Sequence, residues 1–260
     1  MLKKLFFPLL LIFLLSCDKD GDLNFFSVAQ DNEFGEQVKA EIASSGEYNL
    51  MSRSAYPEAY SHIDRITNTI LNSGEVQHLD DFNWEVFLID EDVLNAFATP
   101  GGKLYVYTGL IKYLDNEDQL AGVMGHEIAH ADKRHSTDAL TRQYGFQLLL
   151  EIILGENQEL LKNIAASLAS LQYSRKNESE ADETSVEYLG STIYNCAGAA
   201  GFFEKMIEEG STGGTPEFLS THPNPDNRVE SIYEKATEES CSTENSSTSS
   251  QYQDLQNSLP

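Results

Sequence analysis

Between residues 33 and 73 apolar positions recur every three or four residues, with Phe34, Val38 and Ile42 in one stretch and Ile63, Ile66 and Ile70 in another. That period places them on one face and predicts two amphipathic helices. The pattern then changes. WEVFLID (84–90), VLNAFA (93–98) and KLYVYTG (103–109) are short and rich in aromatic and β-branched residues, as strands are. Pro100-Gly101-Gly102 separates the last two, where a turn needs residues that tolerate unusual dihedrals. A small sheet ending in a hairpin is expected. Helical spacing returns after Asp115, where Asn116-x-x-Gln119 reads as a cap for the helix that carries VMGHEIAHADKRH (123–135). Further helices are predicted at about 137–154, 158–174, 175–192, 198–209 and 225–236. The sum is an α+β domain, mostly helical around a small sheet. FQLLLEIIL (146–154) reads as a buried core helix rather than a membrane-leaning lid, the less common use of such a run.

The two ends differ from this domain. Lys3 and Lys4 precede an apolar run over residues 5–15, then Ser16-Cys17. A charged start, a short apolar run and a small residue read as an export signal, because the run is too short to span a bilayer. LLSC (14–17) also resembles the lipobox of bacterial lipoproteins. That implies cleavage of residues 1–16, acylation of Cys17 and a lipid anchor in a bacterial envelope, on the periplasmic face of the outer or inner membrane. Residues 17–32 are expected to be a polar tether, residues 33–236 the folded domain. Residues 237–260, rich in Ser, Thr, Asn, Gln and Glu, are expected to be disordered.

Charge narrows the partners. The net charge is −25, and losing Lys3 and Lys4 with the signal leaves 15 basic against 42 acidic residues, −27. Such a surface repels phosphate backbones, so no nucleic-acid partner is expected. Cys196 and Cys241 are then the remaining thiols; an oxidising compartment permits a disulfide between them without requiring one.

The chemistry lies in HEIAH (126–130). His126 and His130 are separated by only about 40° around a helix and one turn along it, so both imidazoles can meet one ion. Glu127 falls beside that ion, within reach of a water on it, where a general base belongs. His135 stands about 140° from His130 on a continuous helix and is expected on the solvent side near its C-terminus. A catalytic zinc takes three protein ligands and an open position. The metzincin route to a third ligand fails, since Lys133 and Ser136 occupy the places of its glycine and histidine. An acidic ligand from a later helix remains, and YSRKNESEADETSVEYL (173–189) offers Glu178, Glu180, Asp182, Glu183 and Glu187. Spacing puts Glu178 and Asp182 on one face and Glu180 nearly opposite, which does not by itself choose the ligand.

HEIAH followed by ESEAD (178–182) resembles the M48 metallopeptidases, the soluble, exported, BepA-like branch fitting better than the membrane-embedded ones. NAFATPGGKLYVYTGLI (95–111) and STHPNPDNRV (220–229) are similar to two further stretches of that family, in family order. The resemblance covers about residues 33–236 and implies a zincin-like fold with one Zn²⁺ per chain held by His126, His130 and Glu178. It implies a supporting role for Asp182, and substrate or transition-state contact for His222 and Arg228. It also places Asn95 and Ala96 on an exposed strand edge, with Gly101 and Gly102 leaving room beside it, where an unfolded or extended polypeptide can add as a strand. The implied activity is peptide-bond hydrolysis with Glu127 as base, on unfolded or misassembled envelope proteins. The alternative is a chaperone-like lipoprotein whose zinc is occluded, for example by His222 as a fourth ligand.

Overall fold

A computed structural model describes residues 16–17, 23–209, 217–222 and 227–260. The expected signal peptide and the expected acylation of the Cys17 side chain lie outside the described residues. Of that region only a short antiparallel pairing of β1 (Ser16–Cys17) with β2 (Leu23–Asn24) is described. The fold is mostly helical around a small three-stranded sheet. No helix among the described residues is long and apolar enough to cross a membrane.

The sheet contains β3 (Glu85–Ile89), β4 (Ala96–Thr99) and β5 (Lys103–Tyr107), in the order β3-β5-β4, with β3 parallel and β4 antiparallel to β5. Alternation splits their side chains between two cores. Val86, Leu88, Ala96, Ala98, Leu104 and Val106 join one. Phe97, Tyr105 and Tyr107 join the other. Phe87, Tyr105 and Phe97 stack across the three strands, with centroids 5.0 and 4.8 Å apart. Such cross-strand aromatic contacts help to fix register.

On the first face lie α2 (Pro57–Leu71) and α4 (Glu117–Asp132). The second is covered by α1 (Val28–Ser45), α6 (Phe146–Ile153) and α7 (Gln158–Ser167). Helix α1 begins inside the expected tether. Ser27 and Gln30 form a capping box, a start signal in SVAQ that apolar spacing alone passes over. In α6, Leu149, Ile152 and Ile153 are buried, so FQLLLEIIL is a core helix with two exposed leucines, Leu148 and Leu154. Helix α5 (His135–Tyr144) is separated from it by Gly145 at φ 85°. The remaining helices are α3 (Thr108–Tyr113), α8 (Arg175–Gly190), α9 (Gly198–Glu209), α10 (Glu217–Thr221), α11 (Arg228–Glu238) and α12 (Ser249–Asn257).

Helix α12 corrects the expectation of a disordered tail. Tyr252 and Leu255 are buried against the α2 and α4 side of the domain. The Tyr252 hydroxyl donates to Ile111 O, and Gln256 donates to Ile111 O and Leu114 O, satisfying carbonyls that the end of α3 leaves open. Two apolar residues three apart suffice here, and average composition hides them.

Cys196 and Cys241 form a disulfide with their Cα atoms 6.2 Å apart, tying the loop before α9 to the end of α11. Closing a chain separation of 45 residues removes denatured-state entropy. Replacing both cysteines by alanine is expected to lower stability by about 2–4 kcal/mol in denaturant unfolding.

Candidate metal centre

Helix α4 supplies His126, Glu127 and His130 and is buried on every side. Two glycines let its neighbours approach. A Cβ on Gly122 would lie 2.1 Å from Ala199 N in α9, and one on Gly125 would lie 2.7 Å from Ser185 Oγ in α8. Ser185 Oγ in turn donates to Gly122 O at 3.0 Å. Helix α8, packed this tightly, carries Glu178 and Asp182 to the histidines.

The two Nε2 atoms of His126 and His130 lie 2.9 Å apart. Glu178 places Oε2 3.5 Å from His126 Nε2 and Oε1 3.4 Å from His130 Nε2. His222, at the end of α10, puts Nδ1 3.1 Å from Glu178 Oε1 and 3.3 Å from His126 Nε2. Donor atoms of these four residues all lie within 4.8 Å of one another, and every residue is buried. Tetrahedral bonds of about 2.0–2.2 Å put ligand atoms roughly 3.4 Å apart. The donor set therefore fits a zinc-sized cation, and imidazole nitrogens this close around one carboxylate call for positive charge between them.

Local electrostatics agree. Burial and Arg228 push the His126 imidazolium toward neutrality, but Asp182 and Glu178 outweigh them and lift its pKa to about 9. A divalent ion takes that proton's place. Burial also disfavours the Glu178 charge, yet His222, His126 and His130 hold its carboxyl far below the usual range. His130 is pushed well below an ordinary histidine by burial and by His126.

Behind His126, Asp182 Oδ1 lies 2.9 Å from Nδ1. Arg228, the first residue of α11, donates to both Asp182 oxygens, at 2.5 and 2.7 Å, and stacks over Phe203 at 4.2 Å. Most of its guanidinium thus serves Asp182, and only Nη1 is buried without a hydrogen-bond partner among the described residues. Glu127 is fully buried, and neither of its oxygens has a hydrogen-bond partner among those residues. His222 Nε2 stands 3.4 Å from its Oε1. Burial raises the Glu127 carboxyl, with partial relief from His222 and His126. Such a carboxylate suits a base that waits for a water.

Three expectations need correction. His135 is not on the solvent side: it is buried, with Nδ1 3.0 Å from His130 Nδ1. Helix α4 stops at Asp132 and Arg134 adopts φ 61°, so the helical angle does not carry across to His135. Asn95 and Ala96 do lie at the outermost strand, but both are fully buried. Asn95 Nδ2 donates to Ala169 O, and Phe218 N donates to Leu94 O, so residues 168–170 and α10 cover that edge. Gly101 and Gly102 leave no room beside it either. Both have positive φ in the hairpin turn, and a Cβ on them would meet the α1 backbone and the Trp84 ring at 2.9 Å.

Aromatic neighbours carried no signal in the sequence. Tyr173 stacks on the His130 ring at 3.9 Å, and Phe218 on His222 at 4.4 Å. The Tyr173 hydroxyl meets Ser136 Oγ at 3.0 Å.

Comparison with known proteins places this arrangement. The chain is 35% identical over 151 residues to mitochondrial metalloendopeptidase OMA1 of Arabidopsis thaliana, covering 56% of this chain and 30% of that protein. The corresponding protein of Schizosaccharomyces pombe is 29% identical, over 81% of this chain and 62% of its own length. The beta-barrel assembly-enhancing protease of Escherichia coli (strain K12) is 31% identical, over 58% of this chain and 34% of its own. The chain thus spans between 30% and 62% of these relatives' lengths. The family model for peptidase family M48 matches residues 57–236, which include every residue of the centre, and the chain belongs to that family.

Proposed function

We propose that this chain is a zinc-dependent endopeptidase that cleaves unfolded or misassembled proteins of a bacterial envelope, held to a membrane by a lipid on Cys17. One observation carries the reading. Three donors from two helices converge on a point beside a buried carboxylate, Glu127, whose oxygens accept no hydrogen bond among the described residues. A purely structural site has no use for that carboxylate.

Zinc bound by His126, His130 and Glu178 supplies a Lewis acid and a water of lowered pKa. Glu127 takes the proton of the attacking water and returns it to the leaving amine. Asp182 fixes the His126 ring through Nδ1, and Arg228 fixes Asp182, so the ligand keeps its tautomer and angle. His222 Nε2 and Arg228 Nη1 supply donors to the oxygen on which negative charge develops. The lipid anchor and the envelope location rest on the lipobox resemblance of LLSC and on its position in the chain.

A second reading keeps the zinc and removes the turnover. His222 already sits within the donor group, and the group is closely covered: His126, His130, Glu178 and His222 are each at most 1% exposed. With His222 as fourth ligand the protein is latent or chaperone-like. The two readings separate in one assay. Purified protein is incubated with reduced, unfolded casein and with a folded control, as wild type and as His222→Ala. Cleavage of casein alone by wild type supports the protease. Cleavage that appears only in His222→Ala supports latency, and none from either protein, each with zinc bound, rejects hydrolysis.

A further inference from the structure

A histidine that binds zinc through one ring nitrogen ordinarily donates the other N–H to an acceptor, which fixes its tautomer and aim. His126 has Asp182 for this. At His130 Nδ1 the neighbour among the described residues is instead another imidazole, that of His135. We infer that His135 and Glu180 form a second orienting chain, which positions His130 as a zinc ligand. This rests on the reading of His130 as a ligand and adds two positioning residues to it.

Hydrogen-bond roles along the chain follow from its far end. Glu180 Oε2 lies 3.3 Å from His135 Nε2, and a carboxylate only accepts, so His135 carries its proton on Nε2. Its Nδ1 is then an acceptor. His130 Nδ1, 3.0 Å away, supplies the proton to that bond. His130 is thereby left with an unprotonated Nε2, the atom facing Glu178 and His126. Reversing either proton would bring two N–H groups, or two lone pairs, into opposition.

The backbone is shaped for this contact. Arg134 sits in the left-handed region at φ 61°, which turns the chain so that His135 comes back under His130. A non-glycine residue holds such a conformation only where its surroundings compel it. Here Arg134 Nε donates to Asp31 Oδ2 of α1 at 2.5 Å, Arg134 also donates to Phe26 O, and Thr137 Oγ1 donates to Asp31 Oδ1. The whole of this support is buried. Tyr173, stacked on the His130 face, closes the remaining side.

The test exploits amide geometry. An asparagine places its oxygen near the site of histidine Nδ1, whereas a glutamine places its amide near Nε2. Full-length His135→Asn, His135→Gln and His135→Leu are compared with wild type for zinc affinity by chelator competition and for the visible spectrum of the cobalt-substituted protein. His135→Leu and His135→Gln are expected to lose about 10–100-fold in zinc affinity and to shift the cobalt bands. His135→Asn is expected to stay within about threefold of wild type. If His135→Leu does not fold, the partly exposed Glu180 gives the same answer: Glu180→Gln retains affinity and Glu180→Leu weakens it. Unchanged affinity in the leucine variants overturns the orienting chain. So does equal loss in His135→Asn and His135→Leu with unchanged thermal unfolding, because filling space would then be the whole role. If wild type binds no zinc, or His130→Ala binds it as tightly, the ligand reading itself has failed.

Discussion

Glu127→Gln is expected to cut peptide cleavage by about 100- to 10,000-fold while zinc content stays near one per chain. Glutamine keeps the shape of the side chain but accepts no proton at neutral pH. The three ligands do not need the Glu127 carboxylate to come together, since the contacts of Glu178 with His126 and His130 are made without it. Stability should not fall either. A buried carboxylate that accepts no hydrogen bond among the described residues, and whose charge burial disfavours, is replaced by a neutral amide. Loss of activity with retained metal and an unchanged or higher melting temperature is therefore the signature. Cleavage at the wild-type rate would remove Glu127 from the mechanism and leave the arrangement without a base.

Glu178→Ala should do what Glu127→Gln does not. Zinc affinity is expected to fall by more than the 10–100-fold typical of a lost orienting partner, because a ligand itself is gone. The fold suffers too: His126, His130, His222 and Arg228 lose the one carboxylate around which they are gathered. Breaking a buried charge cluster on one side costs about 3–5 kcal/mol. Stripping zinc from wild type with a chelator should leave the carboxylate in place and lower the melting temperature less than the substitution does. Metal analysis with thermal unfolding of the two proteins checks both statements. Full zinc occupancy in Glu178→Ala would hand the third position to His222, the other donor in the group.

Much of this was legible where geometry is local. The four-residue spacing of His126 and His130 makes one face of a helix whatever surrounds it. The strands came from β-branched and aromatic runs, and the hairpin from Pro100-Gly101-Gly102. Cys196 and Cys241 were open as a pair because pairing depends on a Cα separation that no spacing supplies. The tail failed for a related reason. Its composition is polar on average, while its order depends on burying Tyr252 and Leu255 against the domain and on Tyr252 and Gln256 reaching the end of α3.

At the centre the division is sharper. What the chain's own order determined was the local half, two imidazoles and a neighbouring carboxylate on one helix. Spacing left Glu178 one acidic candidate among several; family likeness singled it out, and only the packing of α8 on α4 through Gly125 and Ser185 brings it to the histidines. The role of His135 was misread because periodicity assumes an unbroken helix, and Arg134 breaks it under the hold of Asp31, a residue more than a hundred positions away. The cover over Asn95 and Ala96 likewise comes from residues 168–170 and α10, distant in the chain. Periodicity describes how one element presents its side chains; which surfaces then meet is set by burial and hydrogen bonding between elements, and that is decided in three dimensions.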